Sequence, residues 1–279
     1  MIQPYLSNDA LLADIAAAAT NEDELHLWWL GQSGFLVQHR QRHLLFDPYL
    51  SDSLTKKYAE TDKPHVRMTD LCVRPERLDF VDVVTSSHNH TDHLDAETLL
   101  ALLKANRGVS LVVPDANRQF AADRLGLPID RLVGLDDGAS VDVAGFRITG
   151  VPAAHDEIEQ DDAARHRYLG YVVRTGPWTI YHSGDTRLYP GMAERLRPHG
   201  IDVALLPING AAPQRRVSGN LNGREAAGLA HAIGARLAIP CHYDMFAFNT
   251  ASPDEFTAEA ARLGQRVAVL QCGQRWTAE

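Results

Sequence analysis

Apolar positions along this chain of 279 residues fall mostly in short runs of five to ten. "LHLWWLG" (25–31), "GFLVQH" (34–39) and "HLLFDP" (43–48) are rich in strand formers, and glycine or an Arg/Gln pair separates them. That pattern predicts three successive strands. "LDFVDVVTSS" (78–87) is nearly continuous in apolar residues, as expected of a strand covered on both faces. "SLVVP", "IDVALLPI" and "RLAIPCH" read the same way. Between them "SVDVAG", "FRITGVPA", "YLGYVVRT" and "WTIYHSG" make the middle of the chain strand-rich.

Helical spacing appears in fewer places. Apolar residues at 11, 12, 15, 16 and 19 predict an amphipathic helix capped by Asn8. A second helix should begin at Asp95, with Leu99, Leu100, Leu102 and Leu103 turned inward. A third runs from a cap at Asp115 through about 125. Asn222 and Glu225 are spaced as a capping box for a helix over 223–233. Ser252-Pro253-Asp254-Glu255 combines a cap, a proline at the first position and an acid at the third.

Strands interleaved with helices indicate an α/β protein. A weak echo suggests two related halves. "HLLFDP" followed by "VDVVTSSHNH" resembles "WTIYHSGD" followed by "IDVALLPING". Two β/α halves packed as a sandwich of two sheets with outer helices would produce it. No Pro-, Gly- or Ser-rich linker divides the chain, so one domain over 1–279 is expected. The polar stretch "HDEIEQDDAARHR" (155–167) reads as an insertion near a site mouth.

Composition narrows the function. The apolar fraction of 45% and charged fraction of 23% are those of a globular protein with a sizeable core. The net charge of −9 disfavours nucleic acid as a partner, since that affinity rests on clustered cations. Three scattered cysteines, Cys72, Cys241 and Cys272, form no CxxC and suggest a reducing compartment. No secretory signature stands at the start, and no run approaches the roughly 20 apolar residues of a membrane span. The expectation is a cytoplasmic protein without membrane partners.

The segment "HNHTDH" (88–93) changes the picture most. It follows a buried-strand pattern, and His88, His90, Asp92 and His93 are too crowded all to be core residues. Buried histidine and aspartate need partners. A divalent metal supplies one, and imidazole with carboxylate suits zinc, manganese or iron.

This motif resembles the signature of the metallo-β-lactamase-fold hydrolases. The resemblance implies an αββα sandwich of two mixed sheets flanked by helices. It implies that His88 and His90 bind one metal and that Asp92 and His93 bind a second. It also implies further ligands at strand ends, and three positions match in order: His155 after "FRITGVPAA", Asp185 in "YHSGDT" as a bridge, and His242 after "RLAIPC". His166 competes with His155 but lies inside the polar loop. Asp185 beside Gly184 could be a turn former, and His242 a core histidine. His182, just before the aspartate, suits a structural role, and Cys241 reads as a buried thiol. His26, His39, His43, His65, His199 and His231 have no supporting context. Asp47 matches an early aspartate of the family and would brace the histidine loop; Asp95 either does likewise or only caps its helix.

Two divalent ions per chain, zinc or manganese with iron as an alternative, imply hydrolysis. A hydroxide held between them would attack a carbonyl or phosphorus centre, and the second ion would stabilise the developing charge. Asp92 is the candidate proton shuttle. Neither a GxSxG element nor a Gly-rich nucleotide fingerprint competes with this reading. "LWWLGQSGF", "HNHTDHLD", "YHSGDT", "IDVALLPI" and "IPCHYDMFAFNTASPDEF" are similar to the L-ascorbate-6-phosphate lactonase branch. That implies a small, anionic lactone, ester or phosphodiester as substrate. Arg187, Arg215, Arg216 and Arg224 are candidate anion contacts, Tyr243 a candidate oxyanion donor, and Asn209 and Asn220 lesser candidates. An RNA-processing nuclease of the same fold and a non-catalytic metal-binding protein are the alternatives. His90, where flavodiiron proteins carry glutamate, stands against an oxygen reductase. Assembly into a homo-oligomer stays open.

Overall fold

The computed structural model describes residues 1–278. Strands β1 (Leu25–Gly31), β2 (Gly34–His39), β3 (Arg42–Phe46), β4 (Val83–Thr85), β5 (Ser110–Pro114) and β6 (Leu132–Leu135) form one sheet. Strands β7 (Ser140–Val143), β8 (Phe146–Pro152), β9 (Leu169–Thr175), β10 (Trp178–His182), β11 (Val203–Pro207) and β12 (Leu237–Cys241) form the other. A last strand, β13 (Arg275–Ala278), returns to pair antiparallel with β1 and makes the first sheet seven-stranded. Both sheets are mixed, and helices flank them, as expected of the αββα sandwich.

The echo between the halves has a topological counterpart. In the first sheet an antiparallel meander, β1-β2-β3, passes into the parallel strands β4, β5 and β6. In the second, the meander β8-β9-β10 passes into parallel β11 and β12. The crossing point lies after β3 in one half and after β10 in the other, and each is followed by an aspartate, Asp47 or Asp185.

Adjacent tryptophans on β1 show how the layers are separated, because neighbouring strand side chains face opposite ways. Trp29 joins Phe35, Phe46, Ile148, Tyr171 and Ile180 in the core between the sheets. Trp28 joins Leu11, Ile15, Leu99 and Leu102 in the outer layer, where its Nε1 donates to Asp14 at 2.8 Å. Helices Gly223–Ala232 and Asp254–Leu263 cover the second sheet with Ala226, Ala230, Phe256 and Ala260. Their close approach requires Gly223, where an added Cβ would meet the Phe256 nitrogen at 2.6 Å. No helix among the described residues is long and apolar enough to cross a membrane.

Several local expectations are corrected. Asn8 opens helix Asn8–Ala18 with left-handed backbone (φ 49) and does not cap it; the buried face is Leu11, Ile15 and Ala18. The run 78–87 yields only a three-residue strand, because Leu78 and Val81 are buried from a loop. Leu100 is 44% exposed, since helix Ala96–Ala105 turns only Leu99 and Leu102 fully inward. Asp115 sits within a 3-10 turn and pairs with Arg118 and Arg165. Ser252 acts two residues ahead of the helix start, its Oγ accepting from the Asp254 N–H at 3.2 Å. Strands β6 and β13 and the short helices Ser53–Lys57 and Met192–Leu196 carried no clear pattern.

The capping box is present as expected. Asn222 Oδ1 accepts from the Glu225 N–H at 2.8 Å, and Glu225 returns a bond to the Asn222 N–H at 2.9 Å. Asn222→Ala should therefore cost about 1 kcal/mol of stability in urea unfolding. An unchanged midpoint would show that tertiary packing alone holds this helix end.

Candidate metal centre

Asp47 and the candidate metal ligands hang from one edge of the sandwich, beyond the carboxyl ends of strands. Asp47 follows β3, the 86–95 loop follows β4, His155 lies just beyond β8, Asp185 follows β10 and His242 follows β12. This is where open α/β sheets place their ligands. Asp47 and His242 adopt left-handed backbone (φ 37 and 64), a strain of about 1–3 kcal/mol each that functional sites tend to retain.

Asp47 fastens the histidine loop. Its fully buried carboxylate accepts from Thr85 Oγ1 at 2.9 Å, from the Ser87 N–H at 3.1 Å and from the Ser87 hydroxyl. His93 Nδ1 lies 2.8 Å from the same carboxylate. Burial pushes the Asp47 pKa up, but the His93 bond, His182 and Ser87 together hold it below the ordinary value. With Nδ1 engaged, His93 turns Nε2 inward.

The inward atoms converge on Asp185. Its Oδ2 lies 3.2 Å from His242 Nε2, 3.4 Å from His93 Nε2 and 3.6 Å from His155 Nε2. Asp92 Oδ2 lies 3.7 Å from His93 Nε2 and 3.8 Å from His242 Nε2. His90 Nδ1 is 3.2 Å from His155 Nε2, whose other nitrogen bonds the Gly219 carbonyl at 2.9 Å. Potential ligand atoms thus gather as His88, His90 and His155; as His88, His93 and Asp185; and as Asp92, His93 and His242.

This donor set fits divalent metal. Bonds of about 2.1 Å in a tetrahedron put ligand atoms roughly 3.4 Å apart, the middle of the distances above. His88 Nε2, His93 Nε2 and Asp185 Oδ1 are buried with no hydrogen-bond partner, a cost that coordination would remove. The charged and neutral forms of these groups are set by burial and by one another. Burial and then the neighbouring imidazoles of His93, His90 and His155 drive His88 well below the usual histidine value. Burial and His155 bring His90 down to about 4. For His93 burial pulls down, but Asp185 and Asp92 together outweigh it and hold the ring well above the ordinary value.

Residues 42–243 match the family described as the beta-lactamase superfamily domain. A UPF0173 metal-dependent hydrolase of Opitutus terrae is 31% identical over 255 residues, covering 90% of this chain and 98% of that protein. One of Methanopyrus kandleri is 30% identical over 250 residues, covering 88% and 96%. The chain belongs to the β-lactamase superfamily, as a UPF0173 metal-dependent hydrolase. Its fold is shared with Igni18, a metallo hydrolase from Ignicoccus hospitalis: TM-score 0.67 at 21% identity, covering 92% of this chain and 99% of the other.

The hydrolase places its remaining candidates as follows. A cavity of about 370 Å³ opens over His90, Asp92, His155, Asp185 and His242. Asp95 does not touch the ligand cluster; it caps helix Ala96–Ala105 by accepting from the Thr98 N–H at 3.1 Å. Arg187 lies outside the cavity lining, 3.9 Å from Asp156. Arg215 is also outside it and donates to Asn209 and Asn249. Arg216 lines the cavity but pairs with Asp62 at 2.8 Å. Arg224 faces Glu255 at 3.9 Å. Tyr243 is turned away from the site: its hydroxyl donates to the Leu270 carbonyl and its ring packs on Trp29. His182 is structural, stacked on Phe46 and bonded through Nε2 to the Ser33 carbonyl at 2.9 Å. His166 pairs with Asp136, and burial first of all raises the Cys241 thiol. Of the polar loop 155–167 only His155 lines the cavity, the remainder being tied back through Asp161, Arg165 and His166.

Three residues of the site carried no sequence signal of their own. Gln32, at φ 50 in the β1–β2 turn, puts Nε2 2.7 Å from Asp92 Oδ2 and 3.0 Å from His242 Nε2. Tyr168 packs on the rings of His88, His90 and His155. His65 joins Tyr58, Phe246 and Phe248 in an aromatic wall of the cavity. Gln32 lay in "LWWLGQSGF" and Tyr168 at the head of the strand pattern "YLGYVVRT", but neither was marked there as a site residue.

Asp185 and Asp92 raise His93 toward its protonated form, and only its neutral ring can ligate. Metal uptake at pH 7 should release about one proton from this residue. Calorimetry of zinc binding in buffers of differing ionisation enthalpy reads that proton. A heat independent of buffer would contradict the assignment.

Proposed function

We propose that this hydrolase cleaves a small ester, lactone or phosphodiester at a pair of divalent ions. His88, His90 and His155 would hold one, Asp92, His93 and His242 the other, and Asp185 both. The observation that carries the reading is Asp185 Oδ2, within 3.2–3.6 Å of imidazoles from both groups. Ions held there supply a water activated at neutral pH and an electrophilic contact for the substrate's oxygen. The chain's residues do the remainder. Asp47 and the Gly219 carbonyl fix the His93 and His155 rings. Asp92, at the cavity floor and steadied by Gln32, is placed to carry a proton to the leaving group.

Zinc or manganese suits the mixed nitrogen and oxygen donors, with iron as an alternative. The cavity volume of about 370 Å³ suits a small molecule, and the net charge of −9 argues against a long polyanion, so the nuclease reading ranks second. The non-catalytic reading has no feature in its favour. An anionic group, as on a phosphorylated lactone, would find Lys57, Arg124 and Arg216 around the cavity rather than Arg187. Arg124 already holds the Asn89 and Leu94 carbonyls, which leaves Lys57 the first choice.

Elemental analysis of protein grown with zinc and manganese should give about two ions per chain. Asp185→Ala should deplete both, and His155→Ala chiefly one. Full metal content and activity in Asp185→Ala would refute the bridge. A panel of lactones, esters, thioesters, β-lactams and phosphodiesters tests the reaction, and cleavage of structured RNA alone would favour the nuclease. On a phosphorylated lactone Lys57→Ala should lower kcat/KM while sparing the unphosphorylated counterpart. Equal losses on both would remove Lys57 as the anion contact.

A further inference from the structure

Through the cavity wall runs a chain of side-chain amides whose directions are forced. Arg215 can only donate. Its guanidinium bonds Asn249 Oδ1 at 3.0 Å, which fixes that amide with its oxygen toward the arginine. The same Oδ1 accepts from Asn209 Nδ2 at 2.9 Å. Asn209 must therefore present its Oδ1 to Asn220, whose Nδ2 donates to it at 3.0 Å. One orientation remains for Asn220. Its NH2 is committed to the wall, and its Oδ1 is left over.

That oxygen is an anomaly in a well-bonded region. Asn220 is 2% exposed, lines the cavity beside His155 and Asp185, and its Oδ1 has no hydrogen-bond partner. A buried acceptor without a donor costs about 1–3 kcal/mol. An amide free to turn would relieve this, but turning would set oxygen against oxygen at Asn209, and turning Asn209 and Asn249 to follow would set the Asn249 NH2 against the Arg215 guanidinium. Arg215 itself lies outside the cavity lining.

We infer that Asn220 is a specificity-determining acceptor, set by Arg215 through Asn249 and Asn209, and that the substrate carries a hydroxyl or N–H donor close to the bond that is cleaved. The inference rests on the cavity being the substrate site and narrows the proposed esters and lactones to hydroxylated or N–H-bearing ones. A site built to bond a substrate hydroxyl rejects the analogue lacking it strongly, because its own buried group is then stranded. The tandem amides also explain why Arg215 is held inside the protein instead of reaching an anion.

The test uses metal-loaded protein and matched probes. α- and β-hydroxy-γ-butyrolactone are compared with their methoxy counterparts, which keep the oxygen and lose the donor. Turnover gives kcat/KM, and ligand-observed NMR gives Kd whether or not the probe is cleaved. At least one hydroxylated probe should bind on the order of tenfold better than its methoxy partner, or better still. Arg215→Met should erase the preference by releasing the amides, and Arg215→Lys, which keeps a donor, should retain much of it. A hydroxyl preference in Kd without turnover would support the acceptor while refuting lactone hydrolysis. Equal Kd across the pairs, no binding of any hydroxylated probe, or an undiminished preference in folded Arg215→Met would overturn the inference.

Discussion

Asp185 places a carboxylate among imidazoles at the joint of two sheets, 4% exposed, and the site is organised around the charge it brings. An isolated buried carboxylate is costly enough that a protein normally neutralises or pairs it. Burial alone would raise its pKa, yet His242 and His93 hold it well below the ordinary value. Asp92 adds a second negative group and Asp47 a third. Three acids and a ring of imidazoles, several with unbonded nitrogens, form a cage for cations.

The fold makes this cage affordable by distributing its members. No two of Asp47, His155, Asp185 and His242 come from the same strand end, so each is held by a separate stretch of packed backbone. The two halves repeat one device, a meander that passes into parallel strands with an aspartate at the crossing. In the first half that aspartate ties down the histidine loop. In the second it enters the cluster itself. The same geometry accounts for the strained backbone at Asp47 and His242, where the chain must turn sharply to aim a side chain across the joint.

The sequence was most legible where burial or metal chemistry leaves few alternatives. Strands such as β1, β2 and β9 stood out because both faces are covered, and the HxHxDH motif because its residue types suit little else. Short helices such as Ser53–Lys57 left no periodicity to read, and the edge strands β6 and β13 are only four residues long. Roles that depend on what lies opposite were illegible. Tyr243 neighbours His242 in sequence yet is turned to Leu270, and Arg215 looked like an anion contact until its amide partners were placed. His65 had no local context because its aromatic partners Phe246 and Phe248 lie far along the chain.

The central claim is that one carboxylate joins two metal positions, and anomalous diffraction from manganese-soaked crystals addresses it directly. The account predicts two anomalous peaks about 3.5–4 Å apart, one beside His88, His90 and His155, the other beside Asp92, His93 and His242, with Asp185 reaching both. A single peak, or a second peak remote from Asp185, would contradict it.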